Sequence, residues 1–157
     1  MKSNRLVETG VEEIDREHRE LHRLIQLLRD TIRTGNRGPV QRKIVRTVLN
    51  QVSAFTRRHF AEEERLMLLA NYPDYPSHKK EHELFVERIQ NLQRCLREDR
   101  VAISSETVSA LDNWLIYHVE GTDRQYVPYL LKEGLLTDDG EYKDKAEISD
   151  LKNKLES

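Results

Sequence analysis

Apolar side chains recur along the chain in steps of three and four residues, the spacing of one face of an α-helix. The first such stripe comprises Ile14, His18, Leu21, Ile25, Leu28 and Ile32. Three further stripes comprise Ile44, Val48, Val52, Phe55, His59, Glu63 and Leu66, then His78, His82, Phe85, Ile89, Leu92 and Leu96, and finally Val108, Leu111, Leu115 and His118. Such stripes on four successive helices are typical of bundle packing. The pattern predicts an all-α fold, an antiparallel up-down-up-down four-helix bundle with a C-terminal helical extension.

Residues that form turns and helix caps separate the four stripes. Glycine and proline cluster at positions 35–39, 73–76 and 134, where they interrupt helices. Thr9-Gly-Val-Glu12 predicts a capping box at the start of the first helix, and Pro39 suits the first turn of the second. The third helix is expected to begin between Asp74 and Ser77, and Ser104 is expected to cap the fourth.

The last stretch of the chain has a different pattern. Asp138-Asp139-Gly140 predicts a turn, after which Ile148, Leu151 and Leu155 recur at helical spacing among charged residues. We expect residues 1–133 to form one domain and residues 134–157 to form a linker and an amphipathic helical tail. Such a tail would suit a C-terminal output domain or a homodimer partner.

Composition narrows the class of protein further. A length of 157 residues suits one domain with a single core. The formal net charge of −2 gives no reason to expect nucleic acid or an anionic membrane as a partner. The longest apolar run, Leu66–Ala70, is far too short to span a membrane, and the N-terminus leads into no signal stretch. The single cysteine, Cys95, excludes an internal disulfide framework and is expected to be a buried bystander. These features favour a cytoplasmic protein.

Polar side chains interrupt the apolar stripes at positions that should face the buried core of the bundle. Seven of them form the spacings His59-x-x-x-Glu63, His78-x-x-x-His82 and His118-x-x-x-x-Asp123, with His18 upstream. One such pair alone is more often a solvated surface pair, but burying several unpaired charges would destabilise a small bundle. A metal centre resolves the conflict, because bound cations replace the lost water. Imidazole with carboxylate and no thiolate suits iron and related divalent metals.

Two other classes of metalloprotein are disfavoured by spacing. Ferritin-like di-iron proteins use paired Glu-x-x-His motifs, and this sequence contains none. Zinc proteases use His-Glu-x-x-His, which is also missing from the sequence.

The spacing and the surrounding residues resemble the hemerythrin family of four-helix, non-haem di-iron proteins. The matching stretches are Ile14–Leu21, His59–Met67, Tyr72–Phe85 and Asn113–Tyr126. The similarity extends over roughly residues 10–132 and fills all seven ligand positions. It identifies residues 1–133 as a hemerythrin-like di-iron domain, while the tail lies outside it.

The resemblance implies how the ligands divide between two iron ions joined by an oxo or hydroxo bridge. His78, His82 and His118 would hold one ion, His18 and His59 the other, and Glu63 and Asp123 would bridge both. The ion with two histidines would keep one open position, where dioxygen binds. The family's apolar pocket around that position corresponds to Leu21, Phe60, Trp114, Leu115 and Val119. Trp114 is equally well explained as an ordinary core residue.

The resemblance implies reversible dioxygen binding and no catalysis. The helical tail favours an oxygen or redox sensor domain for signal transduction over an oxygen carrier or store. The alternative is a di-iron enzyme that acts on nitric oxide or peroxide, or in iron-centre repair. Such catalysis needs a proton supply, and the apolar pocket offers no obvious acid.

Two residues near the predicted ligands leave questions open. His22 follows His18 by one turn, so spacing alone admits it as a ligand; the family assigns only His18. Asp123 follows His118 by five residues, which on a regular α-helix turns it away from the site. We hypothesise that Gly121 lets the helix widen between them.

Overall fold

The chain folds into helices that enclose one layer of polar residues. The computed structural model describes residues 8–33, 38–98 and 103–137. Its helices are α1 (Glu12–Arg33), α2 (Pro39–Leu69), α3 (Tyr75–Arg97), α4 (Ser105–His118) and α5 (Arg124–Lys132), and a π-helical turn at Val119–Asp123 joins α4 to α5. Helices α1 to α4 run up, down, up and down, with α1 between α2 and α4, and α2 between α1 and α3. The predicted all-α four-helix bundle is confirmed.

The residues of the predicted stripes are buried or half-buried, with one exposed exception in α2. Ile44 is 44% exposed, so its prediction as a core residue is wrong. Val45 and Leu49 are buried instead, at 6% and 0% exposure. Ile44 and Val45 both precede Val48 at spacings that a helix permits, but the buried stripe in this half of α2 is centred on Val45 and Leu49, about 100° further round the helix.

The start of α1 differs from the predicted capping box. Thr9 Oγ1 does accept a hydrogen bond from the Val11 amide, but the carboxylate that completes the cap belongs to Asp15. Asp15 accepts from the Thr9 amide at 2.7 Å and the Gly10 amide at 3.1 Å. Gly10 has a φ of 91°, a left-handed conformation that delays the first helical turn. Glu12 therefore falls in the helix proper, where it pairs with Arg19.

The other helix ends agree with the sequence. Pro39 is the first residue of α2, and Tyr75 begins α3 within the expected range. Ser104 caps α4, because its hydroxyl accepts from the Thr107 amide at 3.2 Å. After α2, Asn71 adopts a φ of 52°, a conformation that asparagine tolerates better than most residues and that ends the helix sharply.

Two apolar clusters lie on either side of the polar layer. The large apolar cluster consists of Leu21, Leu24, Ile25, Leu28, Val45, Val48, Leu49, Val52, Phe60, Phe85, Ile89, Val108, Leu111, Leu115 and Val119. The small apolar cluster consists of Val11, Ile14, Leu66, Met67, Ala70, Tyr72, Tyr126, Val127, Leu130, Leu135 and Leu136. Each helix that contributes to both clusters passes through the polar layer between them. The large and the small apolar cluster therefore pack against that layer from opposite sides.

The C-terminal part of the described chain packs against the bundle. Leu135 and Leu136 lie beyond the predicted domain boundary at residue 133, and both are buried in the small apolar cluster. The predicted turn at 138–140 and the predicted helix around Ile148, Leu151 and Leu155 lie outside the described residues. No helix in the described ranges is both long enough and apolar enough to cross a membrane.

Candidate metal centre

All seven predicted ligand residues meet in the polar layer. Glu63, His78, His82, His118 and Asp123 form one group able to hold a metal ion, which we call the five-residue group. His18, His59, Glu63 and Asp123 form a second, the four-residue group. Every member is buried. Because Glu63 and Asp123 belong to both groups, the geometry gives three histidines to one group, two to the other, and shares the carboxylates.

Each shared carboxylate directs its two oxygens to different groups. Glu63 Oε1 lies 2.8 Å from His59 Nε2, while Oε2 lies 3.1 Å from His82 Nε2. Asp123 Oδ2 lies 2.9 Å from His18 Nε2, and Oδ1 lies 2.9 Å from His118 Nε2. Each carboxylate is therefore placed so that it could contact a cation in either group.

The positions of the ligand nitrogens and oxygens suit coordination of a cation better than they suit hydrogen bonds among these atoms. His82 Nε2 and His118 Nε2 lie 3.1 Å apart, close to the separation of about 3.0 Å for two ligands at right angles around one ion, each about 2.1 Å from it. In the described part of the chain, His18 Nε2, His78 Nε2 and both oxygens of Asp123 are buried without a well-formed hydrogen bond. Buried polar atoms are normally satisfied, so these atoms point to bound metal as their partner.

Ionisable groups of opposite charge face one another in the site. Burial opposes the charged form of His59, but Glu63 and Glu17 outweigh it and raise its pKa to about 10. Burial likewise opposes charge on His118, and Asp123 raises its pKa to about 10. Burial would raise the pKa of Glu63, yet His59 and the other imidazoles hold it well below its usual range. Protonated histidines and ionised carboxylates therefore pair when no cation is present, and a metal must displace those protons.

Two carboxylates that were not predicted from the sequence contact the Nδ1 atoms of the ligand rings. Glu17 contacts His59 Nδ1, and Glu81 Oε2 accepts from His118 Nδ1 at 2.6 Å. These contacts fix the proton on Nδ1 and leave Nε2 as the metal-binding atom. A signal was present, since Glu17 and Glu81 each directly precede a predicted ligand histidine, but each carboxylate serves a histidine on a different helix.

Tyr126 is a third residue near the ligands that the sequence pattern did not single out. Its hydroxyl donates to Glu63 Oε1 at 3.1 Å, and the side chain is fully buried. The ring belongs to the small apolar cluster. Its position three residues after Asp123, on the same helical face, is the signal that could have identified it.

The five predicted pocket residues belong to the large apolar cluster or pack against it, and two of them stack on ligand rings. Phe60 stacks on His82 with ring centroids 3.7 Å apart and planes 4° from parallel. Trp114 stacks on His118 at 4.5 Å and 12°. The remaining residues, Leu21, Leu115 and Val119, are buried in the same cluster. Their role around dioxygen stays a prediction.

His22 lies apart from the metal groups. Its Nδ1 is 2.7 Å from Asp112 Oδ1, on the neighbouring helix, and it belongs to neither group of candidate ligands. Cys95 is a free thiol and half-buried, so it is more accessible than predicted.

The helix widens between His118 and Asp123 as hypothesised, with a π-helical turn at Val119–Asp123. The wider turn brings a residue at i+5 onto the face that i+4 would occupy in an α-helix. Gly121 has space for a side chain, because a Cβ built at this position would meet no atom within 4 Å. Lack of space for a side chain is therefore not why glycine stands there.

Comparison with known proteins gives a consistent result. The family model described as hemerythrin HHE cation binding domain matches residues 9–130. A bacteriohemerythrin of Stenotrophomonas maltophilia (strain R551-3) is 34% identical over 119 residues, covering 74% of this chain and 72% of that protein. A bacteriohemerythrin of Methylococcus capsulatus (strain ATCC 33009 / NCIMB 11132 / Bath) is 28% identical over 122 residues, covering 78% and 89%. A crystal structure of wild-type hemerythrin superposes with a TM-score of 0.71 at 28% identity, covering 78% of this chain and 90% of that one. The chain belongs to the hemerythrin family.

Proposed function

We propose that this chain holds two iron ions in its seven-residue cluster and binds dioxygen reversibly, as an oxygen or redox sensor rather than an enzyme. The observation that carries the proposal is the unequal division of the ligands, three histidines in one group and two in the other. Similarity to bacteriohemerythrins supports iron as the metal. When bound, the two irons supply the electrons and the coordination position that reversible dioxygen binding requires.

The chain's own residues provide the conditions for that chemistry. Glu17 and Glu81 orient His59 and His118 so that each Nε2 faces inward. Glu63 and Asp123 hold the two groups at a fixed separation, since each carboxylate reaches both. These two anions offset part of the positive charge that bound cations bring into the buried layer.

The apolar wall is suited to retaining dioxygen and excluding water. Phe60 is 3% exposed, and Leu115 and Val119 are 1% and 0% exposed. Such side chains donate no protons, and a dry site suppresses the side reactions that would release reduced oxygen. This wall favours binding over turnover, which is why we place the alternative of an enzyme acting on nitric oxide or peroxide second.

A contact between the metal centre and the C-terminal segment supports the sensor role. The Tyr126 hydroxyl donates to Glu63, and the Tyr126 ring packs in the small apolar cluster with Leu135 and Leu136. This hydrogen bond and the small apolar cluster therefore connect Glu63 to the segment that precedes residue 138. A carrier or store has no need of this connection.

Metal content and a visible spectrum test the proposal. The protein loaded with ferrous iron under anaerobic conditions should bind two ions per chain. Air should produce a visible absorption band that disappears when oxygen is removed, over repeated cycles. His59→Ala should lose iron and the band, whereas His22→Ala, a histidine outside both groups, should keep both irons.

Other results would reject parts of the proposal. One ion per chain would exclude the di-iron centre. A band that bleaches once, with peroxide released stoichiometrically, would exclude reversible binding, and steady consumption of peroxide or nitric oxide would favour the enzyme. If oxygenation leaves hydrogen exchange at Tyr126–Leu136 unchanged, the sensor role is contradicted while dioxygen binding stands.

A further inference from the structure

A second buried polar cluster joins α1 to α4, outside the metal centre. Asp112 on α4 is 1% exposed and accepts from His22 Nδ1 at 2.7 Å and Gln26 Nε2 at 2.9 Å. Arg29 lies 3.5 Å from the same carboxylate. We propose that this Asp112 cluster is a clasp that keeps α1 closed against α4 and thereby slows the escape of dioxygen. The inference rests on the proposed function.

The clasp spans the seam between the two helices. His22, Gln26 and Arg29 are spaced by four and three residues, so they lie along one face of α1. That face adjoins the inward stripe that includes Leu21 and Ile25. The side chain of His22 is 21% exposed and that of Asp112 is 2% exposed. The cluster therefore runs from solvent at the edge of the seam to its interior.

The clasp lies next to the residues predicted to line the dioxygen pocket. His22 directly follows Leu21 on α1, and Asp112 precedes Leu115 by one turn on α4. Leu21 and Leu115 are both buried in the large apolar cluster. Separation of the helices at Asp112 would therefore separate Leu21 from Leu115 and admit water beside the metal centre.

Asp112 makes opening of the seam cooperative. A buried carboxylate is strongly destabilised if it loses its donors before water reaches it. A carboxylate only accepts hydrogen bonds, so Nδ1 of His22 donates, as do Gln26 and Arg29. All three donors belong to α1, so α1 must release Asp112 as a unit. A purely apolar seam would have no such requirement.

Two substitutions of His22 separate the hydrogen bond from the bulk of the ring. Alanine removes the donor, whereas the side-chain nitrogen of asparagine can occupy roughly the position of Nδ1. Both variants are compared with the wild-type chain loaded with iron. Dioxygen dissociation is followed by stopped-flow absorbance and helix opening by hydrogen exchange in α1 and α4. We expect His22→Ala to dissociate dioxygen about tenfold faster, with faster exchange around Leu21 and Leu115 and unchanged iron content. We expect His22→Asn to stay within about twofold of the wild type.

Several results would overturn the clasp. If dioxygen dissociates equally faster from both variants, the lost volume of the ring causes the change and the hydrogen bond does not. Faster hydrogen exchange in His22→Ala without faster dissociation would leave the cluster a structural role alone. Unchanged exchange and dissociation in that variant would remove the clasp altogether. If the wild-type chain itself fails to bind dioxygen reversibly, the proposed function fails first, before any variant is compared, and the clasp's role in retention fails with it.

Discussion

Replacing Glu81 by glutamine should weaken metal binding at the five-residue group. Glu81 Oε2 accepts from His118 Nδ1 at 2.6 Å, and Oε1 accepts from the Thr122 hydroxyl at 3.3 Å. The bond to His118 lowers the pKa of Glu81, which means that the ionised carboxylate and the ring proton stabilise each other. Glutamine keeps the size and an accepting oxygen but removes the negative charge. His118 then loses basicity at Nε2, the atom that faces the metal.

The size of the effect follows from the type of hydrogen bond. A hydrogen bond to a charged group contributes about 1.5–3 kcal/mol and a neutral one about 0.5–1.5 kcal/mol. The difference is on the order of 1–1.5 kcal/mol. The Glu81 side chain is 43% exposed. Solvent therefore screens part of the interaction, and the free-energy difference should lie near the lower limit of that range. Metal affinity should therefore fall about fivefold to tenfold.

An anaerobic titration of ferrous iron against a chromophoric chelator measures this change. Glu87→Gln is the matched control, because Glu87 is exposed on the same helix. Glu17→Gln is the counterpart for His59 and should weaken the four-residue group instead. The reasoning is refuted if Glu81→Gln titrates like Glu87→Gln, or if it weakens the four-residue group. A melting curve of each metal-free variant checks that the bundle still folds.

Three further predictions concern stability and the C-terminal contact. Without a bound cation, the free energy of unfolding should decline as the pH rises from about 6.5 towards 10. The reason is that folded His59 and His118, each with a pKa of about 10, hold protons that the unfolded chain releases. The free energy of unfolding should also decline in acid, where Glu63, with its lowered pKa, must be protonated. Urea unfolding midpoints measured across this pH range test both declines. Midpoints that stay constant between pH 7 and 10 would contradict the pairing of protonated histidines with carboxylates. Tyr126→Phe removes a donor to Glu63 and should lower the free energy of unfolding of the iron-loaded chain by about 1 kcal/mol, while hydrogen exchange near the C-terminal end speeds up; unchanged exchange would argue against coupling through this hydroxyl. Gly121→Ala should keep full iron content and raise the melting temperature slightly, since alanine favours helix by up to about 1 kcal/mol, and lost iron would show that glycine is required there after all.

The bundle and its ligands could be predicted because they depend on spacing along single helices. The buried stripe of α1 and the pair His59 and Glu63 follow directly from the 3.6-residue period. The same period could not choose between Ile44 and Val45, since both suit α2 until the rotation of that helix against its neighbours is known. The start of α1 was misplaced because the left-handed Gly10 is a property of the folded backbone.

Interactions between helices were beyond the sequence pattern. Glu81 reaches His118 across 37 positions in the chain, and His22 reaches Asp112 across 90. Such pairs depend on the rotation and relative height of two helices, which no single stripe specifies. Spacing likewise left His22 open as a ligand, and only the position of its ring against Asp112 placed it outside the metal groups.

The π-helical turn has a consequence for the length of the side chains that bridge the two groups. Glu63 extends from a regular helix at i+4 from His59, whereas Asp123 has one methylene fewer and extends from the widened turn at i+5 from His118. The wider backbone compensates for the shorter side chain, so both carboxylates reach the same layer. Aspartate at position 63 would then fall short, and glutamate at 123 would extend too far. Which acid stands at each bridging position is thus set by the local pitch of its helix.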